Sequence, residues 1–485
     1  MYSKLWYLII FIIIFINTSL VTGTNGAGKN NEFIQRELDL DKTDTPKNIL
    51  VGSTFGGGNH LNPMLEICKI LMDRGYKITL VAPGNFTATS TLYRSIPQII
   101  TRIDGVYQDF DGIFFNEYTF KSWANIMKIL TRGYDKHFNN YLQAYKETKP
   151  DLLFCNFIEN EACFDLALKL KKPVVGYASH TTFFTPPSPI RSDPIMGCHV
   201  NMEKESFYNR FICAIVQPLR LHWMFRDYLN HINARRAEVG ISKSHEFREK
   251  ANTLFLTNSF FGFEVPTAWL PIHQEIGPIL PDTFPNLSPD LELFLSTHLK
   301  TMYIALGTLV YTTPKNFAIL LQSALELINR NILDGVIWSI VNFNESELPS
   351  TINLSTGKVI PTSNLLNNLH PHVYIMKHSP QFAILSHENT KVFLSHGGLS
   401  SSHESIYTAT PINENGELEV NPESLLRCWI TPDSRMGFFR GNYLDVFGAA
   451  MIIVLALISS LSYGFYKAIM LAYRKWGFRS RNSQS

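Results

Sequence analysis

Short apolar runs and helical repeats alternate along most of this chain. Residues 48–52 (NILVG) form an uninterrupted apolar run, residues 63–72 repeat their apolar positions at helical spacing, and residues 76–82 form a second apolar run. A buried strand of a parallel sheet is apolar throughout, whereas a helix that covers the sheet is apolar along one stripe. The pattern therefore predicts a β-α-β unit near the start of the folded chain.

The same alternation continues further along the chain. Strands are predicted at residues 150–155 and 173–177, with a helix between them at 160–170. A later series has strands at 301–306, 336–341, 372–377 and 391–394, and helices at 317–329, at 382–385 and from Glu404 onward. Residues 183–268 are rich in aromatic side chains, most of which we expect in a core. The alternation predicts the α/β fold class, with more than one sheet.

The length of 485 residues leaves room for two domains, each with its own core. A proline-rich stretch that starts at Gly277 predicts a linker between them. The predicted organisation is a signal peptide at 1–23, a leader at 24–47, a first domain at 48–276, a linker at 277–296, a second domain at 297–430, a membrane span at 446–466 and a basic tail at 467–485.

Two of these segments predict membrane targeting. Residues 1–23 combine Lys4, an apolar run and small residues near their end, which is typical of a secretory signal peptide. Residues 446–466 carry no charge, and as a helix they would be about 32 Å long, enough to cross a bilayer core of about 30 Å. The tail after them is basic and has no acidic residue, which predicts that it lies in the cytosol. The sequence thus predicts a single-pass type I membrane protein whose body lies in the lumen of the endoplasmic reticulum or another secretory compartment.

Composition adds a few constraints to this picture. The net charge of +2 gives no basis for a nucleic-acid partner. Glycosylation sequons, which fit a lumenal body, start at Asn85, Asn286, Asn344 and Asn353. The six cysteines show neither metal-ligand nor disulfide-framework spacing. Cys198 and Cys213 can pair, but buried free thiols are an equally good expectation.

The clearest chemistry lies between residues 391 and 404. An apolar strand runs into the turn His396-Gly397-Gly398, and a helix follows at Glu404. Free N–H groups and the dipole at a helix N-terminus favour anions, and a histidine at the turn adds a donor for a phosphate oxygen. A carboxylate further on can accept both hydroxyls of a ribose. These residue types suit a nucleotide diphosphate, although an isolated His-Gly-Gly turn fits any strand-turn-helix of an α/β protein.

The whole segment 377–411, KHSPQFAILSHENTKVFLSHGGLSSSHESIYTATP, resembles the signature of the UDP-dependent glycosyltransferases, the family that includes UDP-glucuronosyltransferases and plant glucosyltransferases. The resemblance implies a GT-B fold, in which two Rossmann-like domains face each other. It also implies that Gln381 contacts uracil and that Glu404 holds the ribose. The pyrophosphate would lie on His396 and on the backbone of residues 397–402, which includes Gly397, Gly398 and Ser401.

Two further positions belong to the donor site by the same resemblance. The turn Gly307-Thr308 after a predicted strand resembles the loop that contacts the donor phosphates in this family. His378 stands where the family usually has an aromatic residue that stacks on uracil.

A second candidate site follows the first strand, where Gly56, Gly58 and His60 lie in one loop. A dinucleotide site is disfavoured, because the third glycine is missing and the next strand ends in Ala-Pro rather than in an acid. Ligands of open α/β sheets bind at the carboxyl ends of strands, and the family resemblance implies that His60 is the general base. The family's partner aspartate is replaced by Asn156, which can hold the imidazole tautomer but cannot stabilise imidazolium. Glu159 and Glu161 are alternative partners.

The resemblance stops after Pro411, where the family continues with a strand and an acidic-Gln pair that holds the sugar hydroxyls. Residues 412–445 contain no glutamine, and they are too few for the missing strand-helix units. We therefore expect the second domain to be truncated and the apolar side of Phe393 and of the following helix to be exposed.

The expected function is metal-independent, inverting transfer of a hexose from a UDP-sugar to a hydroxyl of a small lipophilic acceptor. Some aromatic side chains of residues 183–268 would line the acceptor pocket. No cofactor is expected besides the UDP-sugar co-substrate, and the expected partners are that donor, the acceptor and a membrane. A catalytically impaired binding or regulatory protein is the alternative. A metal-dependent transferase is disfavoured, because Asp39-Leu-Asp41 lies in the leader and Asp109-Phe-Asp111 in a loop-like stretch.

Overall fold

The computed structural model describes residues 47–54, 60–101, 128–129, 131–157, 160–179, 198–199, 201–241, 253–260, 262–263, 271–307, 313–340, 348–410 and 435–482, with side chains up to 473 at the C-terminal end. These residues belong to one compact unit, Pro46–Ser485. The predicted signal peptide, the leader up to residue 46, both Asp-x-Asp motifs, Glu159, Thr308, Asn344 and Cys428 lie outside the described residues.

The first sheet has seven parallel strands, in the order β3-β2-β1-β4-β5-β6-β7. They are β1 (Asn48–Gly52), β2 (Lys77–Pro83), β3 (Gln98–Thr101), β4 (Leu152–Asn156), β5 (Val174–Ala178), β6 (Leu254–Thr257) and β7 (His273–Glu275). This is the Rossmann order with one strand added, and it reverses between β1 and β4. The strands predicted at 48–52, 76–82, 150–155 and 173–177 are confirmed to within two residues at each end.

Helices cover both faces of this sheet, which explains why β1 is apolar throughout. They are α1 (Asn62–Asp73), α2 (Phe86–Thr89), α3 (Tyr134–Thr148), α4 (Glu161–Leu170), α5 (Phe207–Phe211) and α6 (Gln217–Glu238), with a π-helical turn (Ile212–Val216) between the last two. Leu50 packs into the core on the side of α3 and α4, whereas Ile49 and Val51 pack on the side of α1. Successive side chains of a strand point to opposite faces, so both faces of β1 need apolar residues.

The second sheet has four parallel strands, in the order β12-β9-β8-β13. They are β8 (Thr301–Ala305), β9 (Gly335–Ser339), β12 (Val373–Met376) and β13 (Thr390–Ser395), and a separate hairpin is formed by β10 (Thr351–Asn353) and β11 (Val359–Pro361). The helices are α7 (Pro289–Thr297), α8 (Pro314–Asn329), α9 (Thr362–Leu366), α10 (Gln381–Ser386) and α11 (Leu399–Tyr407). Within the predicted linker, α7 buries Leu291 and Leu295 in the second core.

Two expectations about β13 and the helix after it need correction. Helix α11 begins at Leu399 rather than at Glu404, because the segment Ser400-Ser401-Ser402 continues the helix directly from the glycine turn. Phe393 is buried rather than exposed, since it stacks on Tyr303 of the neighbouring strand with ring centres 5.0 Å apart. The predicted exposure of the apolar side of α11 is confirmed by Ile406 and Tyr407. Within the described part of the chain, β13 pairs only with β8.

The structure decides between the two alternatives for the cysteines: the pairing of Cys198 with Cys213 is confirmed, and a second disulfide was not predicted. Cys155 pairs with Cys163, which joins the end of β4 to α4, and Cys198 pairs with Cys213. Sequence spacing missed the first pair, because two cysteines eight residues apart show no framework pattern until a strand and a helix bring them together. Cys68 is a buried free thiol, and burial raises its pKa to about 12.

The C-terminal end is a short helix, α12 (Phe438–Gly441), followed by the long helix α13 (Leu444–Asn482). Among the described residues, the part Leu444–Tyr473 is the one helical segment long and apolar enough to cross a membrane. The expectation that most aromatic residues of 183–268 lie in a core is wrong for Phe207, Tyr208 and Trp223, which are exposed.

Candidate active site

Each sheet places candidate residues at the point where its strand order reverses. In the first sheet, His60 follows β1 and Asn156 ends β4. In the second sheet, Gly307 follows β8 and His396 follows β13. The carboxyl ends of strands at such a reversal form the crevice in which open α/β sheets bind ligands. Topology alone therefore gathers each of these two pairs from distant parts of the sequence.

His396 lies between the backbones of two glycine turns. A β-carbon on Gly307 would come within 2.7 Å of Cε1 of the His396 ring, and one on Gly398 within 2.5 Å of Nε2. Gly307 and Gly397 also have positive φ angles of 85° and 75°, which side-chain-bearing residues rarely adopt. Both glycine turns are therefore required for the ring to occupy its position.

The N-terminus of α11 follows this turn directly. Gly398 occupies the N-cap position, and it has no side chain to accept hydrogen bonds from the first-turn N–H groups. The α11 helix starts directly after the two glycines, at Leu399, three residues after the exposed His396. The earlier start of α11 therefore brings its positive dipole end closer to the predicted phosphate position than a helix from Glu404 would.

Gln381, Ser401 and Glu404 form one hydrogen-bonded group. The Gln381 side-chain amide donates to Glu404 Oε2 at 2.9 Å and to Ser401 Oγ at 3.2 Å. Burial raises the pKa of Glu404, and the hydrogen bond from Gln381 opposes part of this shift. The predicted uracil and ribose contacts are thus adjacent to each other, with a carboxylate that is easier to protonate than usual.

Two supporting residues were not predicted from the sequence. The Tyr303 hydroxyl on β8 donates to Gln381 Oε1 at 3.3 Å and lies 2.6 Å from the hydroxyl of Ser379. Tyr303 is buried, and burial raises its pKa, so the phenol stays protonated and available as a donor. No sequence motif points to Tyr303, because a tyrosine within an apolar strand indicates only a core residue.

His403 is a further unpredicted feature next to Glu404. Its ring is buried and lies 5.7 Å from Phe260 and 5.1 Å from Phe263, which follow strand β6 of the first sheet. Burial lowers the pKa of His403, so this histidine is neutral near pH 7. Helix α11 therefore contacts residues of the first sheet while it carries the predicted ribose ligand.

Asn156 contacts the segment that carries His60 through the main chain. Its buried side-chain amide donates to the His60 carbonyl oxygen at 3.0 Å and lies 3.7 Å from the sulfur of Met64. The Asn156 amide therefore contacts the start of α1 and the residue two positions before it. A role of Asn156 toward the imidazole remains a prediction. Glu161, one of the alternative partners, is buried and accepts a hydrogen bond from Tyr228 at 3.3 Å.

One of the predicted donor residues, His378, is not joined to this group in the described part of the chain. His378 is exposed, between β12 and α10, and in the described part of the chain its ring makes no hydrogen bond to the other candidates. Thr308 lies outside the described residues. The second sheet therefore carries two groups of candidate residues: Gly307 with His396, Gly397 and Gly398, and Gln381 with Ser401 and Glu404. His60 and Asn156 form a separate pair on the first sheet.

These features define an α/β protein with two parallel sheets, each of which has candidate residues at the point where its strand order reverses. Residues 182–414, just under half of the chain, match the family described as UDP-glucoronosyl and UDP-glucosyl transferase. This match agrees with the resemblance of the signature segment 377–411 to the UDP-dependent glycosyltransferases.

The chain is also similar to individual proteins and to solved structures. UDP-glycosyltransferase 1 of Phaeomoniella chlamydospora is 30% identical over 301 residues, which cover 60% of this chain and 58% of that relative. UDP-glycosyltransferase FPY2 of Fusarium mangiferae is 26% identical over 382 residues, which cover 75% of this chain and 68% of that relative. A UDP-glucosyltransferase from Polygonum tinctorium has a TM-score of 0.48 at 16% identity, over 76% of this chain and 80% of that structure.

Proposed function

We propose that this protein binds a UDP-sugar on its second sheet and transfers the hexose to a hydroxyl of a small lipophilic acceptor. The observation that supports the donor half most directly is the position of His396 between Gly307 and Gly398, beside the N-terminus of α11. A ring donor, backbone N–H groups and a helix dipole at one place suit a diphosphate. Gln381 and Glu404 are joined by a hydrogen bond, and their side chains suit the uracil and the ribose.

In this proposal the chemistry is a single inverting displacement. His60 takes the proton of the acceptor hydroxyl as its oxygen attacks the anomeric carbon of the sugar. The bond from that carbon to the β-phosphate oxygen breaks, and its electron pair leaves with UDP. His396 and the N–H groups at the start of α11 stabilise the added negative charge on the departing diphosphate.

The role of His60 is tested by measuring the rate at which the His60→Ala variant transfers or hydrolyses a UDP-sugar. Loss of a general base is expected to lower turnover by about 10² to 10⁴, and added imidazole should restore part of it. His199→Ala serves as a matched control, since its side chain is 78% exposed and its ring lies 3.5 Å from Glu205 Oε1, away from the candidate residues. Unchanged turnover in His60→Ala, or turnover that disappears when divalent cations are chelated, would contradict the proposed mechanism.

A second candidate function is binding of UDP with little or no turnover. It is supported by the sequence after Pro411, where residues 412–445 contain no glutamine to form the acidic-Gln pair that holds the sugar in the family. In the described residues β13 ends the second sheet, and Leu394 at this edge is exposed. We therefore propose that turnover lies orders of magnitude below that of a family member that has this pair.

The proposal includes a membrane anchor. Helix α13 is proposed to cross the bilayer within Leu444–Tyr473, with the basic tail in the cytosol and both sheets in the lumen of a secretory compartment. Three of the four sequon asparagines, Asn85, Asn286 and Asn353, are exposed, as lumenal glycosylation requires. The lipophilic acceptor class fits this location, since apolar alcohols partition into the membrane beside the enzyme.

A further inference from the structure

The start of helix α13 is attached to the first-sheet half of the protein by three arginines. Arg210 makes a paired contact with the carboxylate of Asp445, one hydrogen bond of which joins Nη1 to Oδ1 at 3.1 Å. Arg435 binds Glu203 through Nε at 3.1 Å and through Nη2 at 2.8 Å. Two-point contacts between guanidinium and carboxylate fix both distance and orientation.

The third arginine and an apolar cluster complete this attachment. Arg440 of α12 donates to the carbonyl oxygen of Glu205 at 2.7 Å. Between the ion pairs, Tyr443 and Val446 are fully buried against Met202 and the π-helical turn Ile212–Val216. The guanidinium of Arg210 also lies 5.0 Å from the centre of the Tyr443 ring. Packing and charge together therefore hold α12 and the first turn of α13 against α5 as one unit.

Four aromatic side chains of this unit are exposed. Tyr208 and Phe207 at the start of α5 are 70% and 46% exposed, and Phe438 and Phe439 of α12 are 74% and 71% exposed. Exposed residues of this size are costly in water when they cluster, and they usually mark a contact surface. Phe207 and Tyr208 lie close in sequence to Arg210, and Phe438 and Phe439 lie next to Arg440. Because these arginines attach the start of α13 to α5, the four aromatic residues have a defined position relative to the proposed span.

We infer that these four residues, Phe207, Tyr208, Phe438 and Phe439, form a surface that inserts into the lipid headgroup region of the leaflet from which α13 emerges. The inference rests on the proposed span of α13, and the argument for lipid as the partner is continuity with that span. Phe438 and Phe439 precede Leu444, the first residue of the candidate span, by only a few residues. Aromatic side chains favour the membrane–water interface.

The consequence is that the acceptor half of the protein is fixed to the membrane at two places. Helix α13 anchors the acceptor half by crossing the membrane, and the aromatic residues of α5 and α12 anchor it at the membrane surface. A lipophilic acceptor dissolved in the bilayer would then meet the first-sheet half directly, without crossing the water layer. The second sheet has no part in this attachment among the described contacts, which leaves the donor half farther from the lipid in this arrangement.

The test measures quenching of a fluorescent label on the full chain in two kinds of phosphatidylcholine vesicle. One contains a lipid with a nitroxide near the head of its acyl chain, which reports on position 208 and its control, and the other contains a lipid with a nitroxide near the end of the chain, which reports on position 459 in the middle of the bilayer core. Labels are attached to single cysteines in a Cys428→Ser background, where the remaining free thiol, Cys68, is fully buried and unreactive. The test position is Tyr208→Cys. The matched control is Leu369→Cys, which is also 70% exposed but lies on the second-sheet half. Ser459→Cys, exposed in the middle of the candidate span, reports on the span itself.

We expect the label at position 208 to lose about half of its fluorescence, because an interfacial side chain lies within about 10 Å of the nitroxide depth. The label at 369 should lose almost none. Asp445→Asn, which weakens the contact with Arg210 but keeps its shape, should reduce quenching at position 208 and leave position 459 unchanged.

Each contrary result has a distinct meaning. Quenching at position 459 with none at 208 overturns the aromatic surface and leaves the span intact. No quenching at 459 overturns the span, and the inference with it. Energy transfer between labels at position 208 on different copies, without quenching by lipid, shows that the surface binds a second copy of the chain and overturns lipid as its partner.

Discussion

At the scale of residues, the contact between His396 and two glycines is the feature on which the donor site depends. Ordinary glycine turns tolerate alanine when space is open, but the ring of His396 leaves no room for a β-carbon on either Gly307 or Gly398. The sequence predicted both turns separately from their resemblance to family motifs. It could not predict that they hold one imidazole between them, since that contact depends on β8 and β13 being neighbours in the sheet.

Gly307→Ala should weaken UDP binding by about tenfold, which equals about 1.4 kcal/mol, because the new methyl group must displace the His396 ring. The matched control is Gly357→Ala, whose φ of 81° is close to the 85° of Gly307 but which has no atom within 4 Å of the added carbon. Both substitutions should lower the free energy of unfolding by about 1 to 2 kcal/mol through the left-handed backbone. Equal UDP affinity in the two variants, measured by calorimetry, would refute the role given to this contact.

Glu404 gives the site a predicted pH dependence. Its pKa is raised above the ordinary 4.5, so the folded protein holds this proton more tightly than the unfolded chain does. Its contribution to stability therefore decreases as the pH rises from 4.5 through the raised pKa. Ribose hydroxyls donate to the ionised form, so UDP affinity should increase over the same pH range.

The measurement compares UDP affinity with that of Glu404→Gln from pH 5 to pH 8. UDP also changes its own phosphate charge near pH 6, and the ratio of the two affinities removes this common effect. A ratio that stays constant with pH would show that Glu404 does not contact the ribose as its carboxylate.

At the scale of elements, hydrophobic periodicity predicted the strands well, but it predicted the start of one helix and the exposure of aromatic residues less well. The strand at 48–52 is confirmed at both ends, because a parallel strand covered on both faces must be apolar throughout. The start of α11 was predicted too late, since three consecutive serines look like a loop although the preceding glycine turn can start a helix there. The exposed aromatics of α5 were predicted as core, because hydrophobicity does not distinguish a core from a membrane or partner contact.

The disulfide between Cys155 and Cys163 leads to a prediction at this scale. It joins the end of β4, next to Asn156, to α4, and the sulfur of Cys163 would lie 2.6 Å from a β-carbon on Gly52 at the end of β1. Replacing both cysteines by alanine should lower the free energy of unfolding by about 2 to 3 kcal/mol. It should also lower turnover, because the disulfide packs between the two strand ends that carry His60 and Asn156.

The other disulfide is the matched control for this prediction. Cys198→Ala with Cys213→Ala removes a pair of similar kind, beside the attachment of α13 rather than beside His60. It should lower the unfolding temperature and leave kcat/KM near the wild-type value. Equal losses of kcat/KM in both double variants would show that the effect of the first pair is general loss of stability.

At the scale of the whole molecule, the two halves differ in how much of the expected fold they carry. The first sheet has the full Rossmann order with an added strand, as the β-α-β pattern and the family resemblance predicted. The second sheet stops at β13 in the described residues, which corresponds to the point where the family resemblance ends in the sequence. Packing nevertheless buries Phe393 under Tyr303, so β13 is held by β8 even with an open outer edge. We therefore expect the proposed nucleoside part of the donor site to form without the part that holds the sugar.

The measurement that tests this account most directly is calorimetry of the purified full chain with UDP and, in parallel, with UDP-glucose. The account predicts that UDP binds, that Gly307→Ala weakens it, and that the attached glucose improves affinity by less than tenfold, because residues 412–445 contain no acidic-Gln pair to hold the sugar. A UDP-glucose affinity at least tenfold above that of UDP, a difference of about 1.4 kcal/mol, would show that the sugar site is complete. The absence of measurable UDP binding would contradict the nucleotide site itself.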